Sequence, residues 1–274
     1  MAPSVLPGFL VNLLSENHTI PTEMETTVKL IKKTSLLIAV AAGCLLTTPG
    51  RAAKTRTVSS GGQYMVVMRT SMGRVKFRLF NDTPRHRDNF VSLAEKGFYN
   101  NLLFHRVIRD FMIQTGDPES IEASQVKVYG GADAGYKLES EIVPHHFHKR
   151  GAVAAAREGD EANPERRSSG SQFYIVVGRE QNDSTLTAAR EKIAAGAADP
   201  AGARITPERE KVYRKRGGTP HLDGSYTIFG EVVSGMRTVK RISEQPTDFQ
   251  DRPKKEDIYI KTVKLKLVKE RKRH

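Results

Sequence analysis

The stretch that decides the fold is Phe104-His105-Arg106-Val107-Ile108-Arg109-Asp110-Phe111-Met112-Ile113-Gln114-Thr115-Gly116-Asp117. It ends one β-prone run, residues 102–108, and contains a second, residues 111–115. Met112 and Gln114 are two residues apart, so on a strand they share one face. Upstream, residues 64–70 and 74–79 flank Ser71-Met72-Gly73, and the second run alternates polar and apolar from Arg74 to Leu79. That is the period of a half-buried strand, and the pair reads as a hairpin. A helix follows. Thr83 is placed to cap it, Pro84 sits where a missing N–H costs nothing, Phe90, Leu93 and Ala94 form an apolar stripe, and Gly97 ends it.

Downstream, β-type runs fall at 152–155, 172–177, 226–232 and 258–267, and residues 234–242 read as a helix with Met236, Val239 and Ile242 inward. Residues 179–217 lack strand character. There Asp183 can cap a helix carrying Leu186, Ala189 and Ile193 and ending at Gly196. Thr206-Pro207 can open another, with Glu208 and Glu210 in its first turn, Arg214 to Arg216 in its last, and Gly217 closing it. That charge order suits the helix dipole. The expected architecture is mainly β: a closed eight-stranded antiparallel barrel capped by two α-helices, with an inserted helical hairpin.

The chain has 274 residues, with 44 Lys and Arg against 31 Asp and Glu for a formal charge of +13. A hydrophobic share of 38% supports a packed core and excludes a wholly disordered chain. One cysteine excludes a disulfide framework and a thiolate zinc site within one chain. The apolar run at 36–46 is too short to span a bilayer. Lys29, Lys32 and Lys33 precede it and Pro49-Gly50-Arg51-Ala52-Ala53 follows, the pattern of a secretory signal peptide cleaved after Ala52. Cys44 follows Ala41-Ala42-Gly43 and is a candidate lipidation position that would tether the protein to a membrane; soluble export is favoured over that anchor. The organisation expected is an overhang ahead of a start at Met24 or a disordered lead at 1–23, a signal peptide at 24–52, a linker at 53–63, one domain at 64–267 with its insertion at 179–217, and a basic tail at 268–274. The compartment expected is the periplasm or cell envelope.

Four separated stretches share one resemblance: 104–108, 111–117, Ser169-Gly170-Ser171-Gln172-Phe173-Tyr174, and His221-Leu222-Asp223-Gly224-Ser225-Tyr226-Thr227-Ile228-Phe229-Gly230. In this order and spacing they resemble the signature of cyclophilin-type peptidyl-prolyl cis–trans isomerases, over roughly residues 64–267 apart from the insertion. The resemblance implies a cyclophilin-like barrel and a folding catalyst that accelerates rotation about X-Pro bonds. It implies Arg106 as the catalytic donor, Phe111, Met112, Tyr174 and Leu222 around the proline ring, and Gln114 and Gln172 as polar anchors. Ala156 and Arg157 stand where many members have Ala-Asn with a backbone donor. His221 stands where many eukaryotic members carry Trp, a residue this chain lacks altogether. That departure implies weaker cyclosporin binding with the activity kept. Tyr174 replaces the commoner Phe and Tyr226 a common His, without removing the arginine or the slot. Taken singly, Arg106 reads as a surface arginine ending a strand and the apolar members as barrel packing.

The chemistry agrees with that set. Rotation about an X-Pro bond breaks no bond, so it needs no nucleophile, metal or cofactor, and none is expected. The barrier of ~18–20 kcal/mol comes from amide resonance. A cationic donor at the prolyl nitrogen stabilises the twisted amide, and a guanidinium fork holds its geometry better than Lys. The expected partners are unfolded or flexible proline-containing polypeptides met by a monomer. The rival reading is a non-catalytic peptide-binding or chaperone module using the same groove. His145, His146 and His148 read as a solvated loop rather than a metal site, and Asp223-Gly224 as a tight turn. Arg166 and Arg167 add positive charge that would favour acidic residues near the proline. Residues 261–274 carry seven Lys and Arg but no interleaved aromatics, and no nucleic acid is expected as a partner.

Overall fold

A computed structural model describes residues 62–269 apart from 122, 123, 125 and 126. The leader, Cys44, most of the linker and the last five residues of the tail lie outside the described residues. The hairpin forms as β1 (Gly62–Thr70) and β2 (Gly73–Leu79), followed by α1 (Pro84–Glu95), β3 (Arg106–Ile108) and β4 (Met112–Thr115). Next come β5 (Lys137–Leu138), β6 (Ala152–Ala155), β7 (Ser168–Ser169) and β8 (Phe173–Val176). The insertion supplies α2 (Asp183–Gly196) and α3 (Pro207–Arg216), and the chain ends with β9 (Ile228–Ser234), α4 (Met236–Ser243) and β10 (Ile260–Lys269).

Eight strands form one antiparallel sheet in the order β10-β1-β2-β9-β6-β8-β4-β3, and β5 pairs with β7 separately. The ladder is open between β10 and β3, where a closed barrel was expected. The run at 102–108 joins the sheet only from Arg106 onward. Its first half bonds instead to the segment entering β10, through the isolated bridge Leu103–Tyr259 and the bonds Phe104 N to Ile258 O (2.7 Å) and Ile260 N to Leu102 O (2.9 Å).

Alternation sorts the strands into two faces. Val66, Met68, Val75, Phe77, Ile113, Val153, Phe173 and Ile175 fill the main core with Phe90 of α1 and Val239 and Ile242 of α4. The other face carries a second cluster of Met112, Ala154, Ala156, Tyr174 and Val176, with Phe111, Leu222 and Tyr226 half-buried against it. The alanines of β6 keep this face low, which leaves room for a groove.

Two helix starts differ from expectation. Thr83 makes no side-chain cap to α1. The Glu141 carboxylate, from a distant loop, accepts the N–H groups of Arg85 and His86 at 3.0 Å each and binds His86 Nδ1 at 2.7 Å. An anion fits the positive end of a helix that has no acid in its own first turn. In α2 the cap is Asn182 rather than Asp183, paired reciprocally with Thr185. Thr206 caps α3 as expected.

The insertion has its own small core of Leu186, Ala189, Ile193, Ile205 and Tyr213. Its neck is pinched by glycines. Gly218 has φ +154°, and a Cβ there would sit 2.3 Å from the His148 carbonyl oxygen and 2.6 Å from the Tyr213 ring. Only glycine lets the returning strand pass.

Candidate active site

The sheet register lays out the site. Arg106 of β3 pairs with Gln114 of β4, Gln114 with Tyr174 of β8, and Tyr174 with Ala154 of β6. Paired residues point to the same face, so these four side chains form one row across four strands. A second row runs Ile108, Met112, Val176. Above the rows opens a cavity of about 300 Å³. Nine of the eleven residues singled out in the sequence line it: Arg106, Phe111, Met112, Gln114, Ala156, Arg157, Tyr174, Leu222 and Tyr226. The other two, Gln172 and His221, lie just beyond it on opposite sides.

Each polar group has a holder. The exposed Arg106 side chain donates from Nε to Asp251 Oδ2 at 3.2 Å, which leaves the far end of its guanidinium for the cavity. Gln114 donates from Nε2 to Gln172 Oε1 at 2.9 Å. Gln172 is buried, and its own Nε2 donates to the carbonyls of Gly130 (3.0 Å) and Ala132 (2.6 Å). Gln172 therefore orients Gln114 and the Gly130 loop. The buried Asp117 carboxylate fixes the same loop, accepting from the N–H groups of Gly130 (2.5 Å) and Ala132 (3.4 Å).

Opposite, Arg157 donates to Ser225 O and Asp160 Oδ1, and its guanidinium lies 4.7 Å from the Tyr226 ring centroid. The Ala156 N–H is spent on Gln172 O at 2.9 Å. Arg166 pairs with Asp160, and Arg167 with Glu165. The cations expected to charge this wall are thus ion-paired, Arg166 on an Asp160 carboxylate that it shares with Arg157.

Beneath the cavity floor runs a buried polar chain that sequence spacing did not reveal. Tyr174 OH lies 2.9 Å from His148 Nε2, and His148 Nδ1 lies 2.9 Å from Asp223 Oδ1. Tyr213 of α3 donates to Asp223 Oδ2 at 2.6 Å. A carboxylate only accepts, so His148 donates from Nδ1 and accepts from Tyr174 at Nε2. The four residues are between 0% and 5% exposed. Burial lifts both tyrosine hydroxyls well above the usual phenol range. His148 is therefore a core residue and not part of a solvated loop, and Asp223 is the hub of the chain as well as a turn residue. His145 and His146 do stay on the surface side, each with Nε2 against one oxygen of Asp82 (2.8 and 2.9 Å). Their ligand atoms and the carboxylate's lie within 4.8 Å of one another, a set that could hold a metal ion.

Two histidines border the groove as neutral rings. His221 stacks on Phe111 with centroids 5.8 Å apart. Burial, reinforced by Lys192, brings its pKa down to about 4. Burial does the same to His105, also to about 4. Neither ring carries charge near neutrality. His105, Tyr129 and Gly130 line the cavity without having been singled out in the sequence. His105 sat inside a quoted motif, whereas Tyr129 and Gly130 reach the site through a loop with no local signal.

An arginine thus stands beside an apolar slot, framed by glutamines on an antiparallel sheet. Residues 65–265 match the family model described as cyclophilin-type peptidyl-prolyl cis-trans isomerase/CLD. The chain is 34% identical over 203 residues to a Staphylococcus aureus protein named "Putative peptidyl-prolyl cis-trans isomerase", covering 74% of this chain and 91% of that one. A namesake in Staphylococcus haemolyticus is 34% identical, covering 72% and 89%. Among solved structures, a cyclophilin-type peptidyl-prolyl cis-trans isomerase of Cryptosporidium parvum matches with a TM-score of 0.52 at 25% identity, over 74% of this chain and 98% of that one. The same protein crystallised in the presence of the dipeptide Ala-Pro matches at 0.50. The chain belongs to the cyclophilin-type peptidyl-prolyl cis–trans isomerases and is an enzyme of that class.

Proposed function

We propose that this isomerase acts on X-Pro bonds in unfolded or flexible exported polypeptides, as a monomeric folding catalyst of the periplasm or cell envelope. The observation that carries the residue roles is the row Arg106–Gln114–Tyr174 standing over an apolar slot. The pyrrolidine ring enters the slot between Phe111, Met112 and Leu222, with Tyr174 as floor. As the amide twists, its nitrogen gains a localised lone pair and becomes an acceptor. The free guanidinium N–H groups of Arg106 meet it, and they interact more strongly with the twisted amide than with the planar one. Gln114 holds a neighbouring backbone group, and the wall at Ala156 and Arg157 confines the segment before the proline. No proton is transferred, so neutral His105 and His221 serve as packing.

Export rests on the basic, apolar and small-residue pattern at 29–53. No helix among the described residues is long and apolar enough to cross a membrane. The test is NMR exchange spectroscopy of a short Ala-Pro peptide with the full chain and its Arg106→Ala variant. Strong acceleration that falls by about 10²-fold or more in the variant supports the assignment. An Arg106→Ala protein as fast as wild type removes Arg106 from the mechanism.

A further inference from the structure

Beyond Phe111 and His221 the groove continues into a second cavity of about 370 Å³, between the turn joining β3 to β4 and α2 of the insertion. Phe111 is its shared wall with the proline slot. Arg109, Arg179 and Lys192 line it, with Asp110 as the one carboxylate in the lining. Among the described residues none of these three cations has an ion pair. The groove's other cations do: Arg106 with Asp251, Lys137 with Glu158, Arg157 and Arg166 with Asp160, Arg167 with Glu165. The groove's cations without an ion pair are therefore concentrated in this alcove. Two of its three cations come from residues 179–217 and converge with Arg109 only because the insertion folds back over the groove.

We propose that the alcove is a specificity subsite for an acidic side chain, aspartate or glutamate, within a residue or two of the isomerised proline. The inference rests on the slot assigned above to proline. A polypeptide seated there passes Phe111 to leave the slot on this side, and its next side chains face Arg109, Arg179 and Lys192. Neutral His221 adds no charge but forms an apolar shoulder against which a carboxylate's methylenes can lie. The subsite selects clients by local sequence, and the interaction is exposed enough to be screened by salt.

The experiment compares Ala-Pro peptides that carry Glu or Gln at the first or second position on either side of the dipeptide. The readout is the Glu-to-Gln ratio of kcat/KM at low salt. The expectation is a ratio of about 3 to 10 for one placement, falling towards 1 at 0.5 M NaCl. An Arg179→Glu/Lys192→Glu variant should bring the ratio below 1, and a Lys211→Glu/Lys215→Glu variant, with the same charge change on α3, should keep it at the wild-type value. A ratio near 1 at every placement overturns the proposal, as does an equal collapse in the α3 variant, which would make the effect one of net charge. Failure of the slot assignment reads differently, as no acceleration of the Gln peptides by wild type.

Discussion

Tyr213 and Asp223 are joined by a 2.6 Å hydrogen bond, and through it the insertion braces the floor of the cavity proposed above to hold proline. Asp223 follows Leu222, which lines the slot, and reaches Tyr174, which floors it, through His148. The hairpin between β8 and β9 is thus wired into the site by a fully buried polar chain.

Replacing Tyr213 with Phe keeps the ring in the insertion core but leaves one carboxylate oxygen of Asp223 without its donor. Burying an unsatisfied acceptor costs about 1–3 kcal/mol. Urea denaturation should show that loss. Combining Tyr213→Phe with Tyr174→Phe should be non-additive, because both act on one chain of hydrogen bonds. Simple additivity would mean that the two hydroxyls are energetically separate.

Deleting residues 180–216 tests the same connection more severely. An ornamental hairpin would leave the stability of the domain unchanged. Here the deletion removes Tyr213 and uncovers Asp223 and His148, so a lower urea midpoint and slower exchange of even the shortest Ala-Pro peptide are expected. A deletion variant with wild-type stability and rate would sever the insertion from the slot.

Asp251 holds Arg106, the arginine proposed above as catalytic, from outside the cavity. It sits at φ +63°, a conformation Asn tolerates, so Asp251→Asn is the clean substitution. It weakens a charge-assisted hydrogen bond to Arg106 without removing the guanidinium. We expect kcat/KM to fall several-fold with the fold intact by circular dichroism, and far less than in Arg106→Ala. No change would show that the guanidinium is positioned without Asp251.

Acid should weaken the protein before its carboxylates titrate. His105 has its pKa lowered from 6.5 to about 4 by burial. Between those values the unfolded chain binds the proton and the folded one does not. This contribution is present in full above pH 6.5 and is lost as pH falls towards 4. From pH 7 to 5 it amounts to about 2 kcal/mol, and His146, also lowered by burial, acts in the same sense. The Glu141 and Glu231 carboxylates, whose pKa values are lowered, contribute stability above their ordinary range and lose it only as pH falls below that range. Urea titrations at pH 7 and 5 on wild type and His105→Gln measure the slope. An unchanged wild-type midpoint would falsify the assignment.

The local signals fixed most elements. Alternation in residues 74–79, the stripe of Phe90, Leu93 and Ala94, and the Thr206-Pro207 start each state their structure within a few residues, because side-chain period and backbone capping are short-range effects. The four motifs, read by resemblance, hold seven of the nine lining residues singled out in the sequence, and Ala156 and Arg157 lie outside them. Period-two alternation also placed Met112 with Gln114 on a common face.

What tertiary structure alone decided are relationships between residues far apart in the chain. Glu141 caps α1, 55 residues from His86, where Thr83 was expected to do so. His148 reaches Asp223 across 75 residues and Tyr174 across 26. Among the described residues the cations of the alcove have no ion pair while Arg166 and Arg167 have one, though composition makes them equivalent. Pairing, burial and residual charge depend on which groups the fold brings within a few ångströms, and no spacing along a chain encodes that distance.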